Sequence, residues 1–515
     1  MSDTKPSMAK PDGTGMAASR RNFLKTAGTV GVAVAGLAGE RADASPGYES
    51  RSRKRPPPGR KQVLLKGGTV LTMDPKIGAL LKGDLLISGS EIVDVGHNIN
   101  ANAHVVDASG TIVIPGLVDA HRHCWQNYFR RAIPNADTGQ YVNFTHFGFA
   151  PSTRPRDDYA ANLISGLSAI SSGVTCVLDL HNSWSRAHTD AAIQAHMDTG
   201  VRAVLAYGGA PSAVESHLPN DIIRVKQLLA SSSDQLVTVR MGGGMSRQDI
   251  LFARSIGVGL HVDGAFGPPG LFAPPIPQDP NGFVQALEEM WRAGLLGPDI
   301  TLIHGTAMPD SAFQILKQSG VRLVLATTSD QALRGLADSV PPIQQALNFG
   351  ITTGLSVDVE VSLSPDLFSQ MRGTFNTQRM LANKRWADGD PNAPRPMTVQ
   401  RVLSMATAEG AMCNGVERSV GTLTPGKKAD IVMIEAEDIL NMPLNNATGT
   451  VVLGADSSSV RNVIINGEFR KWNHRLVDVD LDWVRRLVHE SRDYLAAATN
   501  LWSPKDIVGF GPLYK

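Results

Sequence analysis

The sequence predicts an α/β protein: a (β/α)8, TIM-like barrel at its centre, with strand-rich segments on either side. Three observations carry that reading. Across residues 114–418, strand-like apolar runs alternate with segments of helical apolar spacing, eight times in about 300 residues. On both flanks the alternation gives way to short β-rich runs broken by Gly and Asp turns. Residues suited to holding a metal (His121, His123, His261, His304 and Asp358) fall at the C-terminal ends of strands one, five, six and eight. That is the end at which such a barrel carries its active site. A doubly wound sheet shares the alternation but would not gather groups from those four strands.

Taken in chain order, residues 1–44 read as a twin-arginine secretory signal. Ser19-Arg20-Arg21-Asn22-Phe23-Leu24-Lys25 precedes a weakly apolar run at 26–39, followed by Ala42-Asp43-Ala44. The expected destination is the periplasm or the exterior. The apolar run is too short to span a bilayer, so no stable membrane anchor is expected. Residues 45–60, with Arg53-Lys54-Arg55-Pro56-Pro57-Pro58, read as a linker. Residues 61–113 predict antiparallel strands at 63–65, 69–71, 84–87 and 91–95. Barrel strands are expected at 117–120, 174–180, 201–207, 236–241, 256–261, 300–304, 321–327 and 352–358. Helices are expected at 157–171, 282–295 and 311–319. Residues 419–475 return to strands, at 429–434 and 460–467. In the tail at 476–515, Trp483, Val484, Leu487, Val488 and Leu495 have the spacing of one helix face, a clasp for the barrel or a partner subunit.

Size and charge narrow the function classes. At 515 residues the chain can build one large domain and a smaller one, and its net charge of +1 gives no electrostatic case for nucleic acid. The three cysteines, Cys124, Cys176 and Cys413, form neither a disulfide framework nor a zinc-finger spacing. Cys124 reads as a buried structural thiol. A small molecule is the expected partner.

The most informative stretch is Pro115-Gly116-Leu117-Val118-Asp119-Ala120-His121-Arg122-His123. On an extended strand His121 and His123 share a face, and Arg122 takes the other. Two imidazoles side by side make half of a metal site. Together with His261, Ile303-His304-Gly305, Gly354-Leu355-Ser356-Val357-Asp358 and Gly421-Thr422-Leu423-Thr424-Pro425-Gly426-Lys427-Lys428-Ala429-Asp430-Ile431-Val432, this stretch resembles the metal-dependent amidohydrolase superfamily. The branch it resembles contains triazine hydrolases and cytosine–guanine-type deaminases, and the likeness runs over about residues 62–473.

The resemblance implies a barrel inserted into a small β-sandwich built from both chain ends, and often a homo-oligomer. It implies that His121, His123, His261 and Asp358 bind one divalent ion, Zn2+ first and Fe2+ second, whose bound water falls in pKa from about 16 to about 7. A two-metal site in the superfamily carries a lysine after strand four. Here Thr238-Val239-Arg240-Met241-Gly242 stands there, hence one ion. Asp358 is expected to relay the proton, and His304 to hydrogen-bond where charge develops.

One departure matters. Ring deaminases of this branch carry a glutamate three residues after the strand-five histidine, and here that position is Gly264. Asp263 is the candidate replacement. A missing acid weakens ring deamination more than hydrolysis of an amide, cyclic amide, urea or carbamate, whose carbonyl is already electrophilic. Hydrolysis of such a non-peptide C–N bond is therefore the first reading and deamination of a nitrogen heterocycle the second. A non-catalytic metal-binding scaffold is the third, and the complete ligand set stands against it. Trp125, Gln126, His181, His304 and Asp263 are the expected substrate contacts. Two stretches, 125–155 and 264–280, are expected to overhang the mouth, with aromatics that suit a flat or apolar substrate. His97, His104, His188, His196, His217, His474 and His489 are expected on the surface or in the sandwich.

Overall fold

The computed structural model describes residue 56 and residues 62–210, 217–230, 234–265, 282–333 and 340–509. The signal, the linker apart from Pro56, and the loop at 266–280 lie outside the described residues.

Eight parallel strands follow one another in chain order: Leu117–Arg122, Val174–Ser183, Arg202–Gly209, Val237–Gly243, Leu260–Ala265, Ile300–His304, Arg322–Leu325 and Thr353–Leu355. Helices Pro155–Ser171, Arg186–Thr199 and Asp310–Ser319 are among those connecting them, and helix Leu367–Ala387 follows the eighth. Buried Val177, Leu205, Leu302, Leu323 and Leu355 share one core with the helices' Ile193, Phe313 and Phe368. Each such side chain contributes roughly 1.5–3 kcal/mol by leaving water.

Strand five starts at Leu260, because helix Arg247–Ser255 runs up to Ile256 and Gly257 ends it at φ 64°. Strand eight is short, because Val357 leaves the ladder to donate its amide to Asp119 Oδ1 at 3.1 Å. The ring closes one residue later, where Arg122 bridges Asp358 in parallel register.

The chain ends build a second, nine-stranded sheet, mostly antiparallel, in the order Arg475–Leu476, Glu468–Trp472, Val460–Ile465, Ile431–Glu435, Thr111–Pro115, Val63–Leu71, Ala79–Ser88, Glu91–Gly96, with His104–Asp107 also on Val63–Leu71. Strand Val63–Leu71 is not wholly antiparallel to its neighbours. Its first half pairs in parallel with His104–Asp107 and its second half with Ile112 and Val113. The switch falls beside Gly67, whose φ of 79° suits a residue without Cβ.

Asp430 of the glycine-rich return motif clasps sheet to barrel. Its carboxylate takes both arms of the Arg202 guanidinium, at 2.9 and 2.8 Å, and accepts the Asn466 amide. Its carbonyl accepts the Gly116 amide at 2.9 Å. A Cβ at Gly116 would lie 1.9 Å from Thr175 Oγ1, so the crossing admits only glycine. Helix Leu481–Thr499 buries Val484, Leu487 and Leu495 and packs on helix Pro155–Ser171. Among the described residues no helix is long and apolar enough to cross a membrane.

Candidate metal centre

The strand ends at the mouth of the barrel bring His121, His123, His261 and Asp358 together. His121 Nδ1 lies 2.8 Å from His261 Nε2, with the rings stacked at 5.1 Å. His121 Nε2 and His123 Nε2 lie 3.3 and 3.7 Å from Asp358 Oδ1. All four residues are buried. One donor atom from each of His121, His123 and Asp358 lies within 4.8 Å of the other two, a spacing that suits a small divalent ion, while His261 meets His121 at its opposite ring nitrogen. No lysine among the described residues enters this set: strand four ends in Met241-Gly242-Gly243, and Arg240 points to the barrel floor, onto the Leu260 and Cys413 carbonyls.

The buttress below is ionic. Arg122, turned away from the two histidines, donates to Asp119 at 2.7 Å, Glu360 at 2.8 Å and the Pro365 carbonyl at 2.9 Å. Arg130 reaches the other Glu360 oxygen at 2.8 Å. This set, buried except for part of Arg130, pins the end of strand one to the segment after strand eight. His304 and Asp358 both adopt left-handed backbone, φ 69° and 63°, a strained conformation common where a side chain must be aimed.

His304 Nδ1 bonds Asp330 Oδ1 at 2.6 Å, leaving Nε2 for the pocket, 3.9 Å from both Asp358 Oδ2 and Asp263 Oδ1. Burial opposes charging this ring, but Asp330, then Asp358 and Asp263, outweigh it and hold its pKa at about 9. Asp358 is buried too, yet His121, His304 and His123 hold it down to about 2. Ser329 Oγ donates to its Oδ2 at 2.5 Å and fixes the carboxylate. His261, buried and beside His121 and Arg240, is held well below the usual imidazole range and stays neutral.

Asp263 enters the mouth. The pairing of strands five and six skips between Val262 and Ala265, a bulge that re-aims the residues between. Asp263 Oδ2 lies 3.5 Å from His123 Nε2. Despite its burial, His123, His121 and His304 keep it far below the usual carboxylate range.

Other expected contacts lie differently. Trp125 is fully buried, its indole N–H spent on Asn182 at 3.2 Å, and Gln126 donates to Tyr141 Oη at 2.6 Å. Both form the wall behind His123, whose ring centroid is 6.4 Å from that of Trp125. His181 does not face the mouth. Leu178 and Leu180 pack with Val118 and Val204, so His181 falls on the other face of strand two, against Thr189 and Tyr207. Stretch 125–155 is largely helical, not an open lid. Tyr128, Phe129, Phe144 and Phe149 pack with Leu495 and Trp502 of the tail, while Phe147 is exposed. His188, His196 and His217, expected on the surface or in the sandwich, are buried in the barrel domain.

Sequence reasoning missed Ser329, Asp330 and His146. The first two sit in Thr327-Thr328-Ser329-Asp330, a polar run just after strand seven, and that placement was a readable signal. His146 lies in a π-helical turn, buried, its ring 6.2 Å from His123 and 5.1 Å from Trp125.

Comparison with known proteins agrees with this geometry. The model of the amidohydrolase family matches residues 252–470. The 5'-deoxyadenosine deaminase of Methanosarcina acetivorans is 25% identical over 453 residues, covering 85% of this chain and 99% of that protein. The chain belongs to the metal-dependent amidohydrolase superfamily. This amidohydrolase is also 26% identical over 426 residues to a 5-methylthioadenosine/S-adenosylhomocysteine deaminase of Thermococcus onnurineus, covering 79% of the chain and 93% of the relative. In fold it is similar to an adenosine deaminase from Xanthomonas campestris solved with bound zinc, with TM-score 0.71, 17% identity, and 86% and 100% of the two chains covered. It is similar also to atrazine chlorohydrolase TrzN from Arthrobacter aurescens complexed with zinc, with TM-score 0.66, 20% identity, and coverage of 84% and 100%.

Proposed function

We propose that this amidohydrolase cleaves a non-peptide carbon–nitrogen bond of a small organic molecule with water activated at one divalent ion, zinc foremost. The convergence of His121, His123, His261 and Asp358 beside His304 carries the reading. Those four residues would hold the divalent ion, which when bound would lower the pKa of a water from about 15.7 to about 7. Asp358, ionised and oriented by Ser329, accepts the proton of the attacking water and delivers it to the leaving nitrogen. His304, with Nδ1 committed to Asp330, turns its Nε2–H to the oxygen on which negative charge grows. Trp125, Gln126 and His146 shape the wall beside His123.

Asp263 supports the first of the two kinds of substrate. Its carboxylate, 3.5 Å from His123 Nε2 and on a shorter stem than the glutamate of ring deaminases, is not a well-placed donor for protonating an unreactive ring. We therefore place amides, cyclic amides, ureas and carbamates first. Deamination of a nitrogen heterocycle is the second reading, favoured by the deaminases among the relatives.

A panel of cyclic amides, ureas, carbamates and amino-heterocycles, incubated with zinc-loaded protein and read by product mass and ammonia release, tests both. Addition of one water across a carbonyl C–N bond is expected. Ammonia release from purines or pterins alone selects the second reading, and no turnover by the fully zinc-loaded protein contradicts both. We also propose export by the twin-arginine route, which carries folded proteins, on the strength of Arg20-Arg21 and the apolar run that follows.

A further inference from the structure

Behind the first two barrel strands lies a second polar cluster that takes no part in the chemistry above. Asp179 faces away from Leu178 and Leu180, toward helix Arg186–Thr199. Its carboxylate accepts the Cys124 amide at 3.2 Å and pairs with His196 Nε2 at 2.9 Å. One donor atom from each of Cys124, Asp179 and His196 lies within 4.8 Å of the other two, and all three residues are fully buried. Cys124 follows His123 directly but opens the short helix Cys124–Phe129, which carries its thiol away from the mouth.

Helix Pro155–Ser171 brings Asp158, Asn162 and Ser165 to the same place, three positions on one helical stripe. Asp179 is the foremost charge acting on Asp158, and the Ser165 hydroxyl is buried there without a hydrogen-bond partner. Both carboxyl oxygens of Asp158, Oδ1 of Asn162 and Nδ1 of His196 are buried without a hydrogen-bond partner. Burial and then Asp179 push the Asp158 carboxyl well above its usual range. The nearest guanidinium acting on Cys124, that of Arg122, is already committed to Asp119 and Glu360. The cluster is rich in buried ligand atoms, several of them without a hydrogen-bond partner.

We propose that Cys124, Asp179 and His196 form a second, closed metal site for a zinc-class divalent ion, with Asp158 as the uncompensated carboxyl at its margin. Thiolate, imidazole and carboxylate are each zinc-ligating groups, and full burial closes the site to substrate. Binding displaces the thiol proton of Cys124 to solvent; no bond to carbon forms and nothing is oxidised. Bound there, the ion braces the residue next to His123 against strand two.

Because the site is closed, it fills as the chain folds, so the test expresses the full-length protein in cobalt-supplemented, metal-limited medium. Two cobalt ions per chain and a near-ultraviolet sulfur-to-cobalt charge-transfer band are expected. Cys124→Ser should lose the band and one ion while keeping the other. One ion without the band, or two ions without it, overturns the proposal. X-ray absorption of the zinc-loaded wild type decides the matter should the variant not fold: a zinc–sulfur distance of about 2.3 Å is expected, and nitrogen and oxygen neighbours alone overturn the site.

Discussion

The backbone amide of Asp358 donates to the His121 carbonyl at 3.1 Å, while the Asp358 carboxylate lies 3.3 Å from His121 Nε2. One hydrogen bond closes the barrel and one contact assembles the metal centre, at the same two residues. Residues at opposite ends of the barrel sequence therefore cannot separate without opening the ring. The His123 amide adds a third tie, to the Asp358 carbonyl at 3.0 Å.

Asp358→Asn keeps the shape of the side chain and removes its capacity to accept a proton. Turnover should fall by about 10²–10⁴-fold. Single-turnover kinetics on protein of measured metal content check this. A variant with full metal and full turnover would show that the proton relay lies elsewhere.

Asp330 holds His304 Nδ1 at 2.6 Å. Asp330→Asn frees the ring to rotate and removes the charge that keeps it protonated. We expect turnover to drop about 10–100-fold with metal content unchanged. Loss of metal instead would assign Asp330 to ion retention.

Arg202 and Asp430 form a buried, two-armed ion pair across the joint between barrel and sheet. Arg202→Ala strands the carboxylate, a change that costs about 3–5 kcal/mol. Denaturant unfolding of the variant measures it. A shift below 1 kcal/mol would show that the joint is held by apolar packing alone.

Much of this was legible in the sequence because strand ends announce themselves. An apolar run that stops at a histidine or aspartate marks both a strand and the mouth, as at His121, His304 and Asp358. Facing is harder to read. His181 sits at a strand end like the others, but Leu178 and Leu180 claim the interior face and turn it outward. Partners distant in the chain leave no local pattern: Phe129 and Phe149 pack with Leu495 and Trp502, more than 300 residues on, so the aromatic stretch read as a lid. The same limit hid the convergence of Cys124, Asp179 and His196, three residues with no motif spacing. Strand five shows a different limit, because only the bulge between Val262 and Ala265 tells which of Asp263 and Gly264 enters the pocket.

The most direct test is an anomalous-scattering map, collected at the zinc edge, from crystals of the zinc-loaded protein. A peak about 2.0–2.2 Å from a nitrogen of each of His121, His123 and His261 and from an Asp358 oxygen is the predicted result. A fully loaded crystal with no zinc among those four side chains would contradict the account.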